Sequence, residues 1–304
     1  MNSRIFAIAA LSIFIASCEK EVIIDVPPHQ PKLVILSETY NDDTLRVSVS
    51  KSIDVLKYKM GADLSVNNAV VMLQPKGMPA LRMNYNELTG HYIADAVATP
   101  GTEYQIKVSA AGYGDAVAVA KTPDKILIKS LLRIKDVRLD VSGIKQDEIR
   151  LTFDDNGSEK NYYLIWLNAG YVSDSFENYT GVSCVNTSDP SVESIYDESI
   201  NQNTCIESNG IFLRDDLFNG KTKELRLFVN SDALQPVHIP GIGEVYPTIE
   251  LLHVSEDHFK YLKSYRFASY NAGNPFAEPT NIYTNVQNGY GIFSIIQSDV
   301  AEIK

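Results

Sequence analysis

Hydrophobic and polar residues alternate along much of the chain, and the alternation begins shortly after residue 32. Leu45, Val47 and Val49 are separated by polar side chains, whereas residues 33–36 form a continuous apolar run. Successive side chains of a β-strand face opposite sides, so the alternating segment predicts a strand with one buried face. The continuous run is typical of a buried strand.

Short segments of the same kind continue to residue 124 and are separated by turn residues. Further strands are predicted at residues 70–74, 90–94, 104–108 and 116–120. About six or seven short strands within residues 32–124 are typical of a β-sandwich. The segment 99–104, with Ala111-Gly112-Tyr113 downstream, resembles prealbumin-like sandwiches of surface proteins. We therefore predict a mainly β protein whose N-terminal domain, residues 32–124, is a prealbumin- or immunoglobulin-like β-sandwich.

The second part of the chain, residues 125–304, is predicted to be a β-rich C-terminal domain that carries one packed helix. Thr122-Pro123-Asp124 is the predicted boundary. The helix follows Ser255, which can cap it, and the two acidic residues after Ser255 suit the positive end of the helix dipole. It is predicted to end before residues 271–273. Strands are predicted at residues 130–141, 148–153, 162–167, 225–229, 248–254 and 290–297.

The first residues have the pattern of a lipoprotein signal peptide, predicted over residues 1–17. Residues 5–15 form an apolar run, which is shorter than the roughly 20 residues of a membrane span. Small residues precede Cys18, as in a lipoprotein processing site. We therefore expect Cys18 to carry the lipid that anchors the chain to a membrane. The alternative is an ordinary cleaved signal peptide followed by a chance cysteine.

Residues 18–31 are predicted to form the lipidated cysteine and an extended tether. Pro27, Pro28 and Pro31 fix backbone angles and remove hydrogen-bond donors, which disfavours helices and sheets. The sequence Glu19-Lys20-Glu21 resembles the acidic signal that follows the lipidated cysteine of surface-exported lipoproteins. The tether would lift the first domain off the membrane.

The overall composition is that of a folded protein rich in strands, and its charge disfavours one class of partner. The chain has 304 residues, including 17 Tyr and 11 Phe, and can supply two domains with hydrophobic cores. Its formal net charge is -11. Because phosphate backbones repel an acidic protein, no nucleic-acid partner is expected.

Cys184 and Cys205 lie in a polar segment of little periodicity at residues 174–210. An even number of cysteines in an exported protein favours a disulfide, which would stabilise the fold by roughly 3 kcal/mol on the chain-entropy model. The alternative is two free thiols. No metal site is expected, because these cysteines lack a CxxC spacing or a nearby pair of histidines.

No catalytic residues and no cofactor are predicted. His253 and His258 have the wrong spacing for one helical face, and a scattered histidine is usually a satisfied or surface residue. Asp215 and Asp216 could serve acid–base catalysis, but a turn is the preferred interpretation because adjacent strand residues face opposite sides. Residues 154–158 are interpreted as a turn, since their spacing does not fit a calcium-binding loop.

Trp166 has two possible roles, one in binding and one in the hydrophobic core. Together with nearby tyrosines it could form a platform on which a sugar stacks. Strand alternation, however, places Trp166 on the same face as Tyr162 and Leu164, which favours a core position.

Several motifs of the second half occur in the order of a known family. They are DDLFNGK at residues 215–221, VSED at 254–257, FKYLKS at 259–264, NPFAEP at 274–279 and NVQNGYGIF at 285–293. With these motifs and residues 18–34, the chain resembles the domain of unknown function 4249 family over nearly all of its mature length. The resemblance implies an outer-membrane lipoprotein of the Bacteroidota, often encoded beside a TonB-dependent receptor. It brings no catalytic residues, and the motif pairs Asn219-Gly220 and Asn288-Gly289 are interpreted as tight turns.

The signal peptide and the resemblance together give three hypotheses of function. The first is a lipid-anchored outer-membrane protein, at the cell surface, that serves as an accessory or binding component of a TonB-dependent uptake system. The second is a structural or adhesive surface module without a transport role. The third is a hydrolase, which would require a cavity with two inward-facing carboxylates.

Overall fold

β-Strands account for most of the regular structure. The computed structural model describes residues 29–40, 43–54, 57–168, 184–195, 204–274, 276–278 and 280–304. The first strands are β1 (Leu33–Tyr40), β2 (Thr44–Lys51), β3 (Val70–Pro75), β4 (Leu81–Asn86), β5 (His91–Val97), β6 (Glu103–Ser109) and β7 (Ala116–Lys121). Every strand predicted before residue 124 is confirmed. β4 is absent from the sequence prediction, because Met83 is its only fully buried side chain.

The described residues contain one α-helix, α1 (Glu256–Tyr270), which precedes the last strand. The remaining strands are β8 (Ile128–Leu139), β9 (Lys145–Asp154), β10 (Tyr162–Asn168), β11 (Val185–Asn186), β12 (Val192–Glu193), β13 (Ile211–Arg214), β14 (Thr222–Asn230), β15 (Val237–Ile239), β16 (Gly243–Val245), β17 (Thr248–Val254) and β18 (Gly289–Glu302). The longer strands are those that the sequence predicts. β11, β12, β13, β15 and β16 are too short to show a periodicity.

The strands form three sheets. Twelve strands make up the largest, in the order β12-β13-β10-β17-β18-β1-β2-β5-β4-β3-β6-β7, and four make up the second, in the order β11-β14-β9-β8. β15 pairs with β16. β1 and β18 pair in parallel, whereas their other neighbours β2 and β17 run antiparallel to them. The prediction of a mainly β fold with one packed helix is confirmed.

The strands β1 to β7 share one hydrophobic core. Leu45, Val47 and Val49 of β2 all point into it, which confirms the alternation in the sequence. Phe293 and Ile295 of β18 belong to the same core. The inner faces of these strands therefore meet in a single cluster, to which the C-terminal strand contributes. The domain boundary at residue 124 stays a prediction.

Gly291 allows the first and last strands to lie side by side. Its φ angle is +97°, and a Cβ atom at this position would overlap the backbone carbonyl group of Ile35 in β1. Only glycine tolerates both the angle and the close approach. Gly289, two residues earlier, is similarly close to the backbone of Leu33. The preceding Asn288 has a φ of +57°, in accord with a tight turn at this point.

β10 separates two further cores. Tyr163, Ile165 and Leu167 face one that includes side chains of β9, β14 and β17. Tyr162 and Leu164 face the other, which is covered by α1 through Phe259. Both faces of β10 therefore pack against hydrophobic cores.

α1 begins and ends as the sequence predicts. The Ser255 hydroxyl oxygen accepts a hydrogen bond from the backbone N–H of His258 at 3.2 Å, which caps the first turn. Asn271 follows the last helical residue. Phe259 and Leu262 point toward the sheet, so one face of the helix is packed and both of its flanks border open space.

Candidate functional site

A cleft of about 580 Å³ runs along one flank of α1. We call it the α1 cleft. Its walls are Lys160 and the start of β10, the ends of β12 and β13, the helix itself and the segment that leads to β18. Elements that lie far apart in the sequence therefore meet here.

Helical spacing supplies one wall of the α1 cleft. Glu256, Phe259, Lys260, Lys263 and Phe267 all line it. Each of them lies three or four positions from another member of the set, so they share one side of the helix. This wall of the cleft therefore carries both aromatic rings and charged groups.

Aromatic rings form the apolar part of the cleft. The rings of Tyr162 and Phe259 pack with their centroids 5.2 Å apart. Tyr283, which also lines the cleft, donates a short hydrogen bond from its hydroxyl to a carboxylate oxygen of Asp257 in α1. Burial, together with a hydrogen bond to Glu256, raises the pKa of Tyr162 to about 12. Both tyrosines therefore present neutral phenol groups at neutral pH.

Three cations at the rim share two carboxylates. Lys160 Nζ lies 2.8 Å from a carboxylate oxygen of Asp216. Arg214 contacts both Asp216 and Glu193, and Lys263 Nζ lies 2.8 Å from Glu193. Each of the three cations therefore has a carboxylate partner, and Arg214 bridges the two carboxylates.

Lys260 adds a fourth cation, paired with Glu256 at 2.9 Å. This ion pair is part of the first turns of α1. Lys260 holds the pKa of the Glu256 carboxyl below its usual range, so Glu256 is ionised at neutral pH. The residues that line the cleft thus include four cations and two carboxylates, Glu193 and Glu256. Asp216 and Asp257 contact lining side chains from just outside the lining.

A second cavity, of about 420 Å³, adjoins the α1 cleft and shares Lys160, Tyr162 and Glu256 with it. His253 and Asn161 lie in its lining. Both are buried, so of the two positions that the sequence left open for His253, satisfied or at the surface, the surface one is wrong.

Each ring nitrogen of His253 lies beside an acceptor oxygen. Nδ1 is 2.9 Å from the backbone carbonyl of Asp124, and Nε2 is 3.0 Å from the side-chain oxygen of Asn161. The Asn161 amide nitrogen donates to the backbone carbonyls of Asn156 and Glu159, which fixes the orientation of that amide. Burial lowers the pKa of His253, and the hydrogen bond to the Asp124 carbonyl offsets part of this decrease.

Two buried carboxylates complete this network. Asp155 accepts hydrogen bonds from the Tyr163 hydroxyl at 2.5 Å and from the Gly220 N–H at 2.7 Å. Asp215 accepts one from the Asn161 N–H at 2.7 Å, and burial raises its pKa. Asp155 lies between the end of β9 and the turn that begins at residue 157, and Asp215 begins a single 3₁₀ turn, Asp215–Leu217. Their burial escapes sequence reasoning, because acidic turn residues are usually exposed.

The opposite flank of α1 borders a third cavity, of about 620 Å³. Tyr261 and Tyr265 of the helix line it, with their rings nearly parallel at 16° and 6.2 Å between centroids. Tyr40, Arg46 and His91 from the N-terminal strands form the other side. Phe259 and Phe267 therefore line one cavity beside the helix, and Tyr261 and Tyr265 line another.

The site residues predicted from the sequence have different positions. Cys184 and Cys205 form a disulfide with their Cα atoms 5.2 Å apart, joining the start of β11 to the segment before β13. Cys18 lies outside the described residues. Trp166 packs against the core beneath α1, so the core hypothesis for this residue is confirmed.

Within the described residues, no cluster of three or more His, Cys, Asp or Glu side chains could hold a metal ion. No helix in the same part of the chain is long and apolar enough to cross a membrane. The α1 cleft itself is missed by sequence reasoning, because its residues are spread between positions 160 and 283. The regular spacing of charges and rings on α1 is the one signal of it in the sequence.

Comparison with known proteins identifies the family. The model of the family described as Domain of unknown function (DUF4249) matches residues 19–301. No curated protein matches the chain. The match covers nearly the whole sequence and includes all the elements that build the α1 cleft, and the chain therefore belongs to the DUF4249 family.

Proposed function

We propose that the protein is a lipid-anchored binding component of the outer membrane that serves as an accessory to a TonB-dependent uptake system. The observation that carries the binding role is the α1 cleft, with its aromatic interior and charged rim. The lipoprotein-type sequence around Cys18 and the family resemblance support the location and the partner.

The α1 cleft has the properties of a ligand site. Ligand cavities usually measure roughly 300–1,000 Å³ and combine apolar walls with a few fixed polar groups. The α1 cleft, at about 580 Å³, lies within this range. Its ion pairs hold the rim side chains in place, so less side-chain entropy is lost when a ligand binds.

Lipid attachment at Cys18 would keep this cleft close to a membrane receptor. Each buried CH₂ contributes about 0.8 kcal/mol, so two or more acyl chains give stable anchoring. The proline-containing tether that follows would let the folded part reach the mouth of a barrel. Cargo held in the cleft would then be delivered at a high local concentration.

Co-purification tests this proposal. The tagged full chain is isolated from detergent-solubilised outer membranes, and the recovered proteins are identified by mass spectrometry against an untagged strain. We expect a TonB-dependent receptor to be enriched with the tagged chain. Recovery of the chain without any such receptor would contradict the accessory role.

One surface feature favours the adhesive alternative. The turn between β8 and β9 exposes large apolar side chains, with Leu139 63% and Val141 79% accessible. Exposed apolar groups of this kind often mark protein contacts. A deletion strain that loses attachment but keeps nutrient uptake would support adhesion over the uptake role.

A further inference from the structure

We infer that the α1 cleft binds organic acids: ligands with a carboxylate group on an aromatic or branched apolar body. The inference rests on the proposed binding function and names its ligand class. A free acid and the C-terminal residue of a peptide share this chemistry, and the experiment below distinguishes them.

The charges of the rim select an anion. The cleft lining contains four cations but only two carboxylates, Glu193 and Glu256, so a ligand carboxylate would add an acceptor for these cations. The Lys160 and Arg214 side chains are nearly half accessible, at 46% and 45%, so a ligand can reach them in their ion-paired positions. A guanidinium group also offers several donors in a fixed plane, which suits a carboxylate.

The same rim disfavours cationic ligands. Glu193, whose side chain is only 17% accessible, already contacts both Arg214 and Lys263. Glu256 contacts Lys260 and also accepts from the Tyr162 hydroxyl. A ligand cation would have to displace these partners and would approach the four cations of the lining.

The interior of the cleft suits an apolar or aromatic body. Phe259, Phe267 and Tyr283 line it, together with Ile195, which follows β12. Phe267 is 37% accessible, so part of its ring area is available for burial by a ligand. Offset or edge-to-face contacts between aromatic rings add roughly 0.5–1.5 kcal/mol beyond burial, and such a body would bind beside the charged rim.

Calorimetric titration of the purified full chain in detergent tests this inference. The probes are N-acetylphenylalanine and its neutral amide, which differ only in the carboxylate. We expect the acid to bind about tenfold more tightly than the amide, because hydrogen bonds to charged groups stabilise complexes more than neutral ones. We also expect its affinity to fall as salt rises. Equal affinities, or no binding of either probe at millimolar concentration, would overturn the inference.

A second pair of probes identifies the natural form of the acid. N-acetyl-glycyl-glycyl-phenylalanine and its C-terminal amide carry the same group at the end of a peptide. Tighter binding of this peptide acid than of N-acetylphenylalanine assigns the site to peptide C-termini. Weaker binding assigns it to free organic acids.

Substitutions locate the binding in the cleft. Lys263→Gln and Lys160→Gln each remove one rim cation, and we expect each to reduce the preference for the acid over the amide severalfold. Lys129→Gln is the matched control, because Lys129 is a half-exposed lysine paired with Asp154 on another sheet. Thermal unfolding of all three variants checks that they fold. If both rim variants keep the full preference while folded, the assignment to the α1 cleft is wrong.

The two proposals fail independently. If the probes do not discriminate but the receptor co-purifies, the ligand class is wrong and the accessory role stands. If acids bind but no receptor is recovered, the cleft is a binding site in a protein with a different partner.

Discussion

Asp155 and Asn161 each connect separate segments of the chain through buried hydrogen bonds. Asp155 joins β10 to the turn before β14, and Asn161 joins the residues before β10 to Asp124 through His253. A buried acceptor that loses its donor costs free energy, because it has already given up its contacts with water. Asp155 and Asn161 therefore contribute more to the free energy of unfolding than exposed polar residues do.

Tyr163→Phe tests the contribution of Asp155. The substitution removes the hydroxyl that donates to Asp155 and leaves one carboxylate oxygen without that bond. We expect the free energy of unfolding to fall by about 1–3 kcal/mol, as measured by chemical denaturation. Tyr290→Phe, at a tyrosine that is 43% accessible, is the control and should change little. Equal effects of the two substitutions would show that the buried bond contributes nothing.

His258 makes the fold sensitive to acid. It is almost completely buried, with Nδ1 2.9 Å from the Ser294 hydroxyl oxygen, and burial lowers its pKa to about 4. An unfolded histidine has a pKa of about 6.5, so the unfolded chain binds more protons between these values. The free energy of unfolding therefore falls as the pH falls from about 6.5 to about 4, by about 3 kcal/mol for this group.

The variant His258→Gln isolates this effect. We expect it to lose less stability than the unsubstituted chain when the pH is lowered from 7 to 4, whatever its stability at pH 7. His238→Gln, at an exposed histidine, should follow the unsubstituted chain. Parallel pH profiles for His258→Gln and the unsubstituted chain would contradict a buried neutral imidazole. Denaturation at several pH values measures the difference.

At the scale of elements, the sequence predicts the helix and most of the longer strands, but neither β4 and the shortest strands nor the pairing of the strands. Alternation in β2 and the cap at Ser255 are local signals, and the structure confirms both. The parallel pairing of β1 with β18 joins residues from opposite ends of the chain. Nothing local encodes such a pairing, apart from the glycines of β18 that permit close contact.

Gly291→Ala tests that contact. The new Cβ would overlap the Ile35 carbonyl group, and the φ of +97° is unfavourable for alanine. We expect a loss of about 3 kcal/mol or more in the free energy of unfolding, from strain and overlap together. Gly77→Ala is the control, since its φ is +76° but nothing lies within 4 Å. It should cost only about 1–2 kcal/mol, and an equal loss at both positions would rule out the close packing.

At the scale of the whole molecule, the sequence predicts a mainly β fold and the family but not the binding site. Lys160, Glu193, Arg214 and Lys263 meet only after β10, β12, β13 and α1 have packed together. Each of them is an ordinary surface charge in the sequence. The disulfide could be predicted from the sequence, because an even number of cysteines in an exported protein favours pairing. No comparable rule predicts the position of a cleft.

We propose that a lipid at Cys18 holds this binding component beside an outer-membrane receptor. The most direct measurement is the amount of TonB-dependent receptor recovered per mole of tagged chain from outer-membrane extracts. We compare the unsubstituted chain with Cys18→Ala in the same cells. We expect strong enrichment of the receptor with the unsubstituted chain and a large loss with Cys18→Ala, which should no longer partition with the outer membrane. Recovery of the unsubstituted chain without receptor, or equal partition of both forms with the outer membrane, would contradict the proposal.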